Sequence, residues 1–215
     1  MSILNEHAAP GLWRRIIGQR NLIVGAAAAM LFLAAACSSV DTEASGAQAS
    51  AAEGSAAAAA ASASNEDREL ATDFELVLYG NADHSQGDVV HLSDFAGDPV
   101  VLNFWFPSCP PCVAEMPDFE TAYQDLKDEG VKFFGVQLLG LDSVEDGQEF
   151  VDKLGVSYML GPDQTADTSG EIIREYAVIG FPTTVFIDRD QRIARSWTGA
   201  LNLEKLEELL EEIVN

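Results

Sequence analysis

Hydrophobic positions divide this chain into a sparse N-terminal third and a densely patterned remainder. One uncharged apolar block, Leu22–Ala36, is followed by residues 38–66, almost all Ala, Ser, Gly, Glu and Asp. From about Asp67 onward, branched and aromatic residues recur with strand and helix periods. Phe74–Tyr79 and Val89–Leu92 flank the turn-rich Gly80–Asp88 and predict a hairpin. Val100–Phe106 is an unbroken apolar run, as expected of a strand buried on both faces. A helix follows from Pro111 to about Gly130, with Val113, Met116, Phe119, Tyr123 and Leu126 on one face and Pro117 inside it. Lys132–Leu139 predicts a strand, and Ser143 caps a helix to about Leu154. A short strand at Ser157–Leu160 is expected to end in a Gly161-Pro162-Asp163 turn, before a helix near Gly170–Tyr176. Thr183–Asp188 and Arg192–Trp197 form a second hairpin, and Leu203–Val214 is an amphipathic helix. The order β-β-β-α-β-α-β-α-β-β-α predicts an α/β fold, a central mixed sheet with helices on both faces.

The N-terminal third reads as an address and a tether. A cationic flank carrying Arg14, Arg15 and Arg20, a short apolar block and a small-residue exit describe an export signal over residues 1–37. The block is shorter than the roughly 20 apolar residues of a comfortable membrane span. Its positive flank keeps the N-terminus cytoplasmic and sends the rest outside. Leu33-Ala34-Ala35-Ala36-Cys37 resembles the lipobox of bacterial lipoproteins, in which the cysteine is lipidated and anchors the mature protein. It departs from that pattern in carrying Ala34 where the family prefers Leu. An uncleaved signal anchor, or cleavage after Ala-x-Ala with Cys37 as an ordinary thiol, are the other readings. Residues 38–66 lack the large apolar residues that would offset chain ordering, so they are expected to be a disordered tether carrying a domain at 67–215.

Charge and cysteine count narrow the function. The chain holds 35 acidic against 12 basic residues, which argues against nucleic-acid binding, where Lys and Arg supply most of the affinity. Three cysteines are too few for a disulfide scaffold or a four-cysteine zinc site, and all three histidines lie upstream of Cys109. No metal and no cofactor is expected.

The chemistry concentrates at Cys109-Pro110-Pro111-Cys112, where the buried strand delivers two cysteines to the start of a helix. Helix N-termini favour thiolate over thiol, and this spacing permits a small, reducible disulfide. Pro110 and Pro111 remove two N–H donors, leaving those of Cys112 and Val113 to stabilise a Cys109 thiolate. The expected thiol pKa lies below that of free cysteine, but less so than with polar residues between the pair. Glu115 lies at i+3 from Cys112 on the same helix face. It is either a proton acceptor for Cys112 or an acid favoured by the helix dipole. Trp105, Phe104 and Phe106 are expected mainly in the core, with Trp105 also a wall beside the disulfide.

Asn-Phe-Trp-x-x-x-Cys-Pro-Pro-Cys-x-x-Glu-x-Pro, followed by Gly180-Phe181-Pro182-Thr183-Thr184-Val185-Phe186-Ile187-Asp188, resembles the TlpA/ResA branch of membrane-tethered thioredoxin-like proteins. The resemblance spans roughly residues 70–215 and implies a thioredoxin-like fold with an N-terminal hairpin and a central insertion at about 140–172. It implies that Cys109 attacks, Cys112 resolves the mixed disulfide and Glu115 tunes both thiols. It also implies that Pro182 is cis beside the disulfide and that Phe181 offers its backbone to the substrate chain. Ser108 stands where many relatives carry Trp, and Asn103 where cytosolic thioredoxins carry a buried Asp.

The resemblance implies exported protein clients with cysteine pairs, such as apocytochrome c, and a CcdA/DsbD-like membrane thiol–electron transporter as electron donor. The protein is expected to act as a monomer, held at the cell membrane by its lipid or signal anchor. Reductase is the first reading and disulfide-inserting oxidase the second, because direction follows reduction potential and partner. A copper or haem binding module is disfavoured by the absence of a His after His91, and a peroxidase by the absence of a Pro-x-x-x-Thr-x-x-Cys pattern before Cys109.

Overall fold

The sheet is built outward from Val100–Trp105, and every residue of that strand is buried. In the computed structural model, which describes residues 67–164 and 169–214, this strand is β3, the centre of a five-stranded sheet ordered β5-β4-β3-β6-β7. The signal segment, Cys37 and the tether lie outside the described residues. β4 (Lys132–Gln137) runs parallel to β3, pairing Val100 with Lys132 and Trp105 with Gln137. β6 (Thr183–Ile187) runs antiparallel on its other side, pairing Val100 with Ile187 and Phe104 with Thr183. β7 (Ile193–Thr198) closes one edge, turning back at residues 189–191, where Gln191 takes a positive φ of 58°.

Side chains alternate across a strand, so each sheet face needs its own cover. On one face Leu102, Phe104, Phe134, Val136 and Val185 form a core with Phe74, Leu76 and Leu92. That cover is the hairpin of β1 (Glu75–Val77) and β2 (Val89–His91), paired antiparallel with Glu75 opposite His91. On the other face α1 (Pro110–Leu126) lays Phe119 and Tyr123 edge-on against Phe133, at centroid distances of 6.4 and 5.9 Å. The last helix, α4 (Leu203–Val214), packs beside α1 and buries Leu206, Leu209, Leu210 and Ile213. α1 continues through Pro117 to Leu126, and a 3-10 turn at Lys127–Glu129 ends in Gly130 at φ 88°.

The insertion holds α2 (Val144–Leu154), β5 (Met159–Pro162) and the short α3 (Glu171–Glu175). Ser143 caps α2 as expected, and Asp146 completes a reciprocal capping box. The structure corrects the reading of β5. The strand starts two residues later than Ser157 and continues through Gly161 and Pro162, where a turn was expected. β5 is an edge strand of the five-stranded sheet, where a residue without an N–H is tolerated. Gly161 fits because a Cβ there would overlap the Val77 carbonyl oxygen of the hairpin folded over this edge.

Candidate active site

The C-terminal end of β3 leads into a tight turn in which the Cys109 N–H donates to the Phe106 carbonyl at 3.1 Å. Cys109 is then the N-cap of α1, extended at φ −94° and ψ 102°, with prolines filling the first two helical positions. This is the conformation that a residue before proline favours, and those positions have no intrahelical use for an N–H. Cys109 and Cys112 form a disulfide with an S–S distance of 2.01 Å. Cys109 keeps 4% of its surface and Cys112 none, so an incoming thiol reaches the Cys109 sulfur more readily. The Cys112 N–H donates to Cys109 Sγ at 3.3 Å. The second donor expected for that sulfur is spent elsewhere: the Val113 N–H donates to the Cys109 carbonyl at 3.1 Å, opening the helical ladder.

Glu115 faces inward and is 2% exposed, which distinguishes it from an acid placed only to suit a helix dipole. Asn103 Nδ2 donates to its Oε1 at 2.8 Å, and the Leu201 N–H donates to its Oε2 at 2.9 Å. Burial pushes the carboxyl up to about 7, against the pull of those two hydrogen bonds, which favour the charged form. Asn103 is itself buried, and its Nδ2 also reaches Thr184 Oγ1 at 3.1 Å. Asn103 therefore does more than mark the absence of an Asp: it is the group that grips Glu115. Strand parity carried a signal for this, because Asn103 lies on the same sheet face as Phe133, the face α1 covers.

The Phe181–Pro182 peptide is cis. Thr183 pairs with Phe104 at the end of the β3–β6 ladder, so Pro182 and Phe181 lie just beyond the last paired residue of β6. The rings of Phe181 and Phe106 meet edge-on at 5.3 Å. Both are half-buried, so Phe106, read as core, belongs instead to the surface beside the disulfide turn. The Pro182 carbonyl accepts from the Gly199 N–H at 2.9 Å, and two residues on Leu201 reaches Glu115. One loop thus touches both the cis-proline and the buried acid.

Trp105 is fully buried at the end of β3 and packs on Phe150 of α2 at 5.3 Å, under the insertion. Ser108, exposed, is fastened to the same insertion: its N–H and its hydroxyl both donate to Asp142 Oδ2, at 3.0 and 2.7 Å. That tie was not visible in the sequence, since Asp142 lies in the loop before α2 and follows no spacing rule.

A disulfide at a helix N-terminus, with a buried carboxyl one turn further on and a cis-proline strand alongside, defines a thioredoxin-like thiol–disulfide oxidoreductase. Residues 68–196 match the AhpC/TSA family, and the chain belongs to that family and, within it, to the ResA-like oxidoreductases. It is 34% identical over 145 residues to the thiol-disulfide oxidoreductase ResA of Oceanobacillus iheyensis, covering 67% of this chain and 71% of the relative. It is 30% identical over 116 residues to the sporulation thiol-disulfide oxidoreductase A of Bacillus subtilis, covering 54% of this chain and 68% of the relative. Among solved structures it resembles the pneumococcal exposed lipoprotein thioredoxin Etrx1 of Streptococcus pneumoniae, with a TM-score of 0.56 and 26% identity. That match covers 66% of this chain and 100% of the other.

Proposed function

We propose that this protein is an extracytoplasmic disulfide reductase, tethered to the cell membrane through Cys37 or an uncleaved signal, that reduces cysteine pairs in exported clients. The observation that carries the reading is the sparse hydrogen bonding of Cys109: among the described residues one N–H, from Cys112, reaches its sulfur. A thiolate with few donors is poorly stabilised, which favours the disulfide form and makes the dithiol a stronger reductant. In the proposed cycle the Cys109 thiolate attacks one sulfur of the client disulfide and expels the other client sulfur as a thiolate, leaving a mixed disulfide. Cys112 gives its proton to the Glu115 carboxylate, and the Cys112 thiolate attacks the Cys109 sulfur. The second client thiolate leaves, the client has gained two electrons, and Cys109–Cys112 is oxidised. Phe106 and Phe181 form the apolar wall along which the client lies, with the Phe181 backbone available for strand-like pairing.

A CcdA/DsbD-like membrane thiol transporter would return the two electrons, and apocytochrome c is a client class compatible with such a reductase. Lipid anchoring draws support from the lipobox-like Leu33–Cys37 and from the pneumococcal lipoprotein on the same scaffold. The test is the Cys109–Cys112 reduction potential against a dithiothreitol buffer. A value near that of thioredoxin, about −270 mV, is expected. A value near that of DsbA, about −120 mV, would instead make the protein an oxidase that inserts disulfides. Mass spectrometry of the mature N-terminus tests the anchor, and an unmodified peptide spanning Cys37 would remove lipidation from the account.

A further inference from the structure

Asn103 touches Glu115 with only half of its carboxamide. Its Nδ2 serves Glu115 Oε1 and Thr184 Oγ1, while its Oδ1 is buried and, among the described residues, finds no donor. A buried acceptor left unmet is costly and calls for an explanation. The deficit belongs to both orientations of the carboxamide, because each surrounding group is able to reverse its role. A carboxylate only accepts, but a carboxylic acid also donates; the Thr184 hydroxyl does either. Rotating the Asn103 carboxamide by half a turn exchanges Nδ2 and Oδ1. The oxygen then faces Glu115 and Thr184, placed to accept from both, and the unmet position passes from Oδ1 to Nδ2, so neither orientation is favoured by that side of the pocket.

We propose that Asn103 is the positioning residue for Glu115 in both of its protonation states, donating Nδ2–H to the carboxylate and turning Oδ1 to accept the O–H of the acid. This rests on the assignment of Glu115 as the proton acceptor for Cys112. When Cys112 gives up its proton, the new Glu115 O–H finds an acceptor without any movement of the backbone. No electrons move in this step; a proton passes from sulfur to carboxyl, and the two hydrogen bonds from Asn103 to Glu115 and Thr184 exchange their donor and acceptor ends. The Leu201 N–H keeps its place throughout, because the second oxygen of the carboxyl accepts in either state. Thr184 links the device to the cis-proline strand two residues from Pro182.

The titratable groups set around Glu115 are few. Cys112 lies on the same face of α1, and Tyr158, fully buried near the sheet edge, feels the Glu115 charge and has its phenol pushed well above the usual range. Asn103, Thr184 and the Leu201 backbone are neutral. Cys109 and Cys112 are free thiols in the reduced protein, so the Glu115 titration is read at its own carboxyl carbon, which separates it from theirs.

The experiment follows the full-length reduced protein by NMR with labelled Glu carboxyl carbons and the Asn103 side-chain amide, from pH 5 to 9.5. In the wild type the Asn103 amide resonances should move with the same midpoint as the Glu115 carboxyl. In Asn103→Leu, of similar volume but without polar atoms, both bonds are lost, and that midpoint should rise by about half a pH unit, roughly a threefold gain in proton affinity, because the charge-assisted bond to the carboxylate is the stronger of the two. Asn103 resonances that ignore the Glu115 titration would overturn the proposal, as would an unmoved midpoint in Asn103→Leu. Should that variant not fold, the wild-type arm decides alone. The resolution rate of a preformed client mixed disulfide separates this idea from the one beneath it. A coupled Asn103–Glu115 titration with a resolution rate that ignores its midpoint would leave the positioning intact and remove Glu115 from the chemistry.

Discussion

Replacing Glu115 with Gln should make the oxidised protein more stable at alkaline pH. The carboxyl is an ordinary acid in the unfolded chain, at 4.5, and is pushed up to about 7 by burial in the folded one. Between those values the folded protein binds a proton that the unfolded chain does not, so unfolding becomes easier as pH rises. The stabilising contribution is complete below pH 4.5 and is lost as pH climbs through about 7. A rise of about 2.5 pH units at 1.36 kcal/mol each amounts to about 3 kcal/mol of stability withdrawn by pH 8. Gln keeps the volume and one acceptor but carries no charge, so its stability should not follow this curve. Its amide sets a donor toward either Asn103 or Leu201, a mismatch of about 1 kcal/mol unless the Asn103 carboxamide turns. The net expectation at pH 8 is a variant more stable than wild type by about 2 kcal/mol. The assay is urea unfolding of both oxidised proteins from pH 4.5 to 8.5, read as the difference between them. The repulsion within a chain of net charge −23 cancels in that difference. Parallel curves for the two proteins would refute the reasoning.

Two further outcomes follow from the geometry. Cys112→Ala should leave Cys109 able to attack but unable to be released, so client-sized mixed disulfides should accumulate on non-reducing gels and multiple turnover should stop. Gly161→Ala should destabilise by about 2 kcal/mol or more in chemical denaturation, because its methyl meets a backbone carbonyl of the hairpin that cannot yield cheaply.

The elements with strong periodicity were legible in the sequence. β3 is a pure apolar run, and α4 has four buried positions at helical spacing, so neither depends on context. β5 was misplaced because Gly161-Pro162 is a turn signal judged locally, and only the hairpin lying across the sheet edge makes it a strand. Gly147 was likewise invisible: it looks like a weak helix position, yet a side chain there would collide with Gln137 and with Tyr79, which are hydrogen-bonded to each other. At the site, both cysteines, Glu115 and the cis-proline segment could be named from spacing and resemblance. The grip on Glu115 could not, since Asn103 and Leu201 lie 12 and 86 residues from it. The hydrogen bonds of Cys109 were half legible: the prolines announced which donors were missing, but not that Val113 was already committed to the helix.

The fastening of Ser108 to Asp142 gives the dithiol two separate moorings. The chain entering Cys109 is held from the insertion side, while the helix leaving Cys112 is held from beneath through Glu115. Between the moorings lie Pro110 and Pro111, whose rings fix φ and leave little backbone slack. A frame held in this way is expected to let the disulfide open and close chiefly by side-chain rotation at the two sulfurs. The insertion, far from the cysteines in sequence, thereby reaches that frame through Asp142.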